Sequence, residues 1–115
     1  MADVLVDTDV FIDHLRGAFP LRTRGHRVHF SVITRAELVA GTSATATIAE
    51  ILAPFRELPV DAVVAERAGR IRRESGIRLP DALIAATALV HRLRLASRNE
   101  RDFSKVRGLR LSRLA

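Results

Sequence analysis

Short apolar runs alternate with helix-length amphipathic segments along this chain, and that alternation limits its fold more than any other feature. Val4, Leu5 and Val6 form one such run, and residues 28–31, 57–59, 95–97 and 109–111 carry further brief strand signals. Helical patterns separate most of them. A parallel partner needs a crossover of a dozen or more residues, usually a helix, and the resulting sheet is covered on both faces. The expectation is therefore an α/β domain of three α/β/α layers, with a short parallel central sheet of roughly four to five strands.

Local chemistry marks the helix ends. Thr8 or Asp9 is expected to cap a first helix in which Val10, Phe11, His14 and Leu15 share a face, with Gly17 ending it. Residues 22–27 read as an Arg-rich loop. Thr34 is the expected cap of a short helix holding Glu37, which Gly41 closes. Residues 44–55 and 61–75 are expected to be helical, the second with Val64, Ala68 and Ile71 on one face and Arg67, Arg70 and Arg73 on another, stopped by Gly76. Pro80 and Asp81 suit the first turn of the next helix, because Pro lacks the N–H that goes unpaired there and a carboxylate favours the positive end of the helix dipole. Leu83, Ile84, Thr87 and Val90 make that helix largely buried.

Composition narrows the class. The 115 residues fit one domain spanning 1–115, and 48% apolar content can furnish a core. The absence of Cys removes disulfides, thiolate zinc sites and Cys nucleophiles. His14, His26, His29 and His91 lack zinc-site spacing, no Ser has nucleophile-elbow context, and the Gly residues form no phosphate-cradling loop. The start has no basic segment before its apolar residues, and the apolar stretch 82–90 is too short to span a bilayer, so a soluble cytoplasmic protein without membrane contact is expected. The formal charge is +6, and Lys105 is the one Lys among 19 Lys and Arg residues. Such a balance favours a polyanionic partner, although Arg-rich helix faces are also simply solvated. With no Trp or Tyr and five Phe, recognition of a nucleic-acid backbone is expected rather than stacking on bases.

Against that basic background four acids occupy element ends: Asp7, Glu37, Asp81 and Asp102. Singly, each has an ordinary structural explanation as a helix cap, a surface Glu or a turn residue. If folding unites them in a partly dry cleft, mutual repulsion protonates some of them or calls for a cation, and oxygen-only ligands suit Mg²⁺ or Mn²⁺. Such a cluster orients water and stabilises charge on a phosphate under in-line attack, which is phosphodiester hydrolysis without a covalent intermediate.

The segments Leu5-Val6-Asp7-Thr8-Asp9-Val10-Phe11-Ile12-Asp13, Ser31-Val32-Ile33-Thr34-Arg35-Ala36-Glu37-Leu38-Val39-Ala40-Gly41, Leu79-Pro80-Asp81-Ala82-Leu83-Ile84-Ala85-Ala86-Thr87-Ala88 and Ser97-Arg98-Asn99-Glu100-Arg101-Asp102-Phe103 together resemble PIN-domain ribonucleases. The likeness is nearest to the VapC-type toxins of bacterial toxin–antitoxin pairs. It implies a PIN-like domain in which Asp7, Glu37, Asp81 and Asp102 are catalytic and bind Mg²⁺ or Mn²⁺, supported by Ser97 and Asn99, with Thr8 capping or orienting the first motif. It further implies an RNA substrate, a homodimer, and a cognate antitoxin laid across a groove near the first two helices, where Phe11, Leu15 and Leu38 receive its apolar side chains.

Three departures from the family pattern stand out. Ser97 occupies a common Thr position and keeps the hydroxyl. Asp9 replaces a frequent Ser and adds a carboxylate, as a direct ligand or one step removed. Residues 16–30 are shorter than usual and hold no convincing helix. Two other classes of function compete: a non-catalytic PIN-like module that binds RNA or protein, against which all four acids argue, and a phosphoacceptor domain, which ordinarily wants a Lys near its Asp.

Overall fold

The computed structural model describes residues 2–18 and 20–114; Met1 and Ala115, the two ends of the expected 1–115 domain, and Phe19 lie outside the described residues. The elements run β1 (Ala2–Val6), α1 (Thr8–Leu15), β2 (His26–Ser31), α2 (Val32–Val39), α3 (Thr45–Leu52), β3 (Arg56–Leu58), α4 (Ala62–Ser75), α5 (Leu79–Val90), β4 (Arg94–Ala96), α6 (Glu100–Phe103) and β5 (Leu111–Ser112).

Side chains on a strand alternate between faces, so the continuous apolar run of β1 serves two cores. Val4 and Val6 join Val28 and Phe30 of β2, Phe11 of α1, Leu38 of α2 and Ile48 and Leu52 of α3. Leu5 faces the other way, toward Leu58, Val64, Ala68 and Ile71, the buried residues of α5, and Phe103. In α5 the small side chains of Ala82, Ala85, Ala86 and Ala88 are wholly buried, which lets its backbone lie close to the sheet and to α4. All strand pairs are parallel, in the order β3-β2-β1-β4-β5. The expected three-layer α/β/α architecture with five parallel strands is what the chain adopts.

That order reverses direction at β1: the chain winds outward through β2 and β3, then returns to place β4 on β1's other side. Ligand sites in open α/β sheets lie at this switch point, beyond the carboxyl ends of the strands. Register makes the placement specific. Val6 pairs with Ala96, and the Asp7 N–H donates to the Ala96 carbonyl at 2.9 Å, so the next residue on each strand, Asp7 and Ser97, emerges side by side.

Several local expectations shift. The N-cap of α1 is Asp7 rather than Thr8 or Asp9, its carboxylate accepting the Thr8 N–H at 2.8 Å. The cap of α2 is Ser31, not Thr34, because the helix starts directly at the end of β2. Strand β2 begins at His26, where pairing with Ala2 and Asp3 extends it beyond its apolar stretch. Residues 44–55 form the shorter α3, the expected turn through Asp102 closes into α6, and β5 falls at Leu111–Ser112 rather than 109–111. The ends of α4 are as expected, with the Asp61 side chain accepting the Val64 N–H and Gly76 in the left-handed conformation at the C-terminus. Among the described residues no helix is long and apolar enough to cross a membrane.

Candidate active site

At the carboxyl ends of β1 and β4, hydroxyl groups tie the acids together. Ser97 Oγ lies 2.7 Å from Asp7 Oδ2 and 3.4 Å from Asp9 Oδ2, and accepts the Asn99 N–H at 2.9 Å. The Ser97 hydroxyl has one proton, and the shorter distance assigns it to Asp7. Asp9 is held by the Arg98 N–H, 3.2 Å from both carboxylate oxygens. On the other side Thr8 Oγ1 donates to Glu37 Oε1 at 2.7 Å and lies 2.9 Å from Thr34 Oγ1. Thr8 thus joins α1 to α2 and aims Glu37.

Burial sets the charge state. Asp7 is 5% exposed, and its carboxyl is pushed up to about 7 by desolvation first and by the charge of Asp9 next, with a smaller push from Asp81, against the opposing hydrogen bonds from Ser97 and Thr8. Asp9 is also raised, chiefly by burial, with the Arg98 amide opposing. Asp81, in the first turn of α5, is raised by burial, opposed by Arg78 at 3.8 Å and reinforced by Glu37, Asp102 and Asp9. Through these mutual effects the five acids share one electrostatic site. Asp102 differs: its carboxyl is lowered, mainly by the Asn99 side-chain amide at 3.0 Å and further by Lys105 at 3.6 Å.

Comparison with known proteins shows the family. The PIN-domain family model matches residues 4–109. The chain belongs to the PIN-domain family. By that membership it is an enzyme of the nuclease class. Relatives from two strains of Mycobacterium tuberculosis, both named Ribonuclease VapC10, are 41% identical over 109 aligned residues, covering 84% of this chain and 82% of theirs. A chain of a toxin–antitoxin complex from Klebsiella pneumoniae matches with a TM-score of 0.76 and 30% identity, covering 92% of this chain and 94% of that one. DNA-bound VapBC from Salmonella typhimurium matches with a TM-score of 0.79 and 26% identity over 100% of both chains.

Within this PIN domain the charges of Asp9 and Asp81 act on Asp7 and those of Glu37, Asp102 and Asp9 act on Asp81, while Asp102 is the more exposed acid, engaged by Asn99 and Lys105. Among the described residues no three acidic or imidazole side chains are grouped so as to hold one ion as they stand. The donor chemistry of the site nonetheless fits a hard divalent cation: every candidate ligand is a carboxylate oxygen, and the hydrogen bonds to Asp7 come from a hydroxyl and an amide rather than a cation. Two residues gain roles that the sequence pattern does not suggest. Thr34 is fully buried against Thr8, and Arg98 ties Asp9 through its amide and Asp13 through its guanidinium. A buried Thr on an otherwise apolar helix face is the signal that marks Thr34. The groove residues Phe11 and Leu38 are instead interior, 0% and 4% exposed, because the apolar face of each helix covers the sheet; Leu15 is half-buried.

Proposed function

We propose that the chain, as a single domain over residues 1–115, is a metal-dependent endoribonuclease acting in the cytoplasm as the toxin of a VapBC-type pair. In this reading it is a homodimer restrained by a cognate antitoxin. The observation that carries the proposal is the carboxylate of Asp7 at the switch point of the sheet, pushed up to about 7 by its burial first and by its acidic neighbours after that. A buried carboxylate without a cationic partner, beside other acids, in a protein of net charge +6 is costly unless it serves a cation and a polyanion together. The named relatives support the RNA substrate, and the toxin–antitoxin complex supports the partner.

Asp7, Glu37 and Asp81, with Asp102 from the rim, would hold Mg²⁺ or Mn²⁺, and Asp9 adds a fifth carboxylate. When bound, such a cation lowers the pKa of water and offsets charge gathering on the phosphate. The chain's own groups do the positioning. The Ser97 hydroxyl donates to Asp7, the Arg98 amide holds Asp9, Thr8 donates to Glu37, and Asn99 donates to Asp102. Attack by water on phosphorus breaks the bond to the leaving oxygen; a carboxylate of the cluster takes up the water's proton, and the departing oxygen takes a proton from solvent to leave as a hydroxyl. The surrounding Arg side chains hold the backbone of the RNA.

The test is cleavage of a structured RNA mixture by wild type and Asp7→Asn, in Mg²⁺, Mn²⁺ or chelator. Metal-dependent cleavage by wild type, absent in the variant, is expected. Equal activity of two folded proteins sinks the assignment of Asp7, and inactivity of both sinks the nuclease reading.

A further inference from the structure

A groove of about 560 Å³, separate from the strand-end cluster, is lined by Arg67, Arg70, Glu74, Leu89, Lys105 and Arg107 among others. It lies between α4 and the segment that follows α6. Arg67, Arg70 and Glu74 follow at intervals of three and four residues, so they share one face of α4. Four cations therefore line the groove against one carboxylate. Among the described residues Arg67, Arg70 and Arg107 enter no ion pair or hydrogen bond. Their guanidinium groups are available to an anion from outside. The aliphatic lining supplied by Ile71, Leu89 and Val106 contains no aromatic ring on which a base would stack.

One residue links the groove to the acids. Lys105 lies 3.6 Å from Asp102, and the charge of Asp102 acts on Asp81. The groove begins where the acidic cluster ends.

We propose that this groove is a backbone track for the RNA strand beyond the scissile phosphate, with Arg67, Arg70 and Arg107 contacting successive phosphates independently of sequence. The inference rests on the ribonuclease reading and adds a substrate-holding surface to it. Phosphates suit these groups because a guanidinium presents a planar fork of donors to phosphate oxygens, and because backbone contacts fix register without reading bases.

The experiment compares wild type, the double variant Arg67→Gln/Arg70→Gln, and Arg67→Lys/Arg70→Lys on two substrates. One is an RNA of about 30 nucleotides, longer than a typical single-strand footprint of roughly 4–16; the other is a cleavable oligomer of about 4. Removing two phosphate contacts is expected to raise KM for the long RNA about tenfold at ~0.15 M salt and to lower the slope of log KM against log salt by about 1.4, since each single-strand contact contributes about 0.7. kcat and cleavage of the short oligomer are expected to hold, and the Lys pair is expected to restore most of the KM. Unchanged KM and salt slope for the Gln pair, with wild type active, overturn the track and leave the ribonuclease reading standing. So do equal failure of the Lys and Gln pairs, which marks a structural role, and an altered oligomeric state with unchanged KM, which marks a subunit interface. Wild type that cleaves neither RNA removes the ribonuclease reading, and the track with it.

Discussion

Asp7 and Asp102 were equal members of one quartet in the sequence pattern, yet the fold gives them opposite electrostatics. Asp7 is buried at the end of a central strand, and desolvation and acidic neighbours hold its carboxyl up at about 7. Asp102 sits on the four-residue α6, where the Asn99 amide and Lys105 hold its carboxyl below the ordinary value. The contrast shows what a quartet hides: one acid requires an outside cation to ionise cheaply, and the other already has its partners. Asp9, in the first turn of α1 and also raised chiefly by burial, resembles Asp7 more closely than Asp102 does.

The largest expected effect separates the two acids by activity. Asp7→Asn should lower kcat for RNA cleavage by at least about 10³-fold, since a metal-held charge contributes several kcal/mol to phosphoryl transition states. Asp102→Asn, at the rim, should cost about tenfold. Comparable losses measured under single-turnover conditions would break the distinction between centre and rim.

Stability against pH probes the same contrast with opposite signs. Asp7 has a folded value raised above its unfolded 3.8, so the folded state binds the extra proton. Its contribution is fully present below 3.8 and is lost as pH rises toward about 7. The span corresponds to at most about 4 kcal/mol at 1.36 kcal/mol per pKa unit. In chelator, wild type should therefore lose thermal stability across that window, and Asp7→Asn should lose less, only the part that the raised Asp9 and Asp81 carry. Mg²⁺ should restore the wild type at pH 8 and leave the variant unmoved. Asp102 is lowered, so its stabilisation is present above 3.8 and is lost as pH falls through its folded value. A wild-type melting profile in chelator that rises from pH 4 to 7 would contradict the raised Asp7.

How much of this was legible follows from range. The strand at β1 and the helix stops at Gly76 and Pro80 are local chemistry, visible in a few adjacent residues. Phe11 and Leu38 show the limit of periodicity, which marks an apolar face but not whether sheet or partner covers it; here the sheet covers both. The meeting of Asp7 with Ser97 depends on pairing across 90 residues, which only register decides. Asp9 was legible as an added carboxylate but its tether was not, and Thr34 was legible only as a helix cap, for the same reason. Their importance lies in Arg98 and Thr8, contacts brought by β4 and α1.

Ser97→Ala carries a smaller effect and tests whether Asp7 is held by its hydroxyl. The substitution removes a hydrogen bond that lowers the Asp7 carboxyl, and it also removes the acceptor for the Asn99 N–H. A further rise of the Asp7 titration is expected, together with a loss of about 1 kcal/mol from the half-buried Asn99 N–H and the Asp7 oxygen left without this partner. Ser97→Thr keeps the hydroxyl and should restore both. NMR titration of the Asp7 carboxyl carbon in the three proteins reads the first effect, and denaturant unfolding reads the second.

The smallest effect belongs to Asn99. Its side chain both caps α6, accepting the Asp102 N–H at 3.4 Å, and donates to the Asp102 carboxylate. Asn99→Ala should cost about 1 kcal/mol, in the range of a lost N-cap. It should also let the Asp102 titration drift upward toward its ordinary value, because the largest influence holding it down is gone. Asn99→Asp separates the two roles, since a carboxylate still caps the helix but repels Asp102. Its stability should stay near wild type while the Asp102 titration rises above that of the Ala variant. If Asp102 titrates identically in all three proteins, Asn99 does not set its charge, and the rim acid owes its lowered value to Lys105 instead.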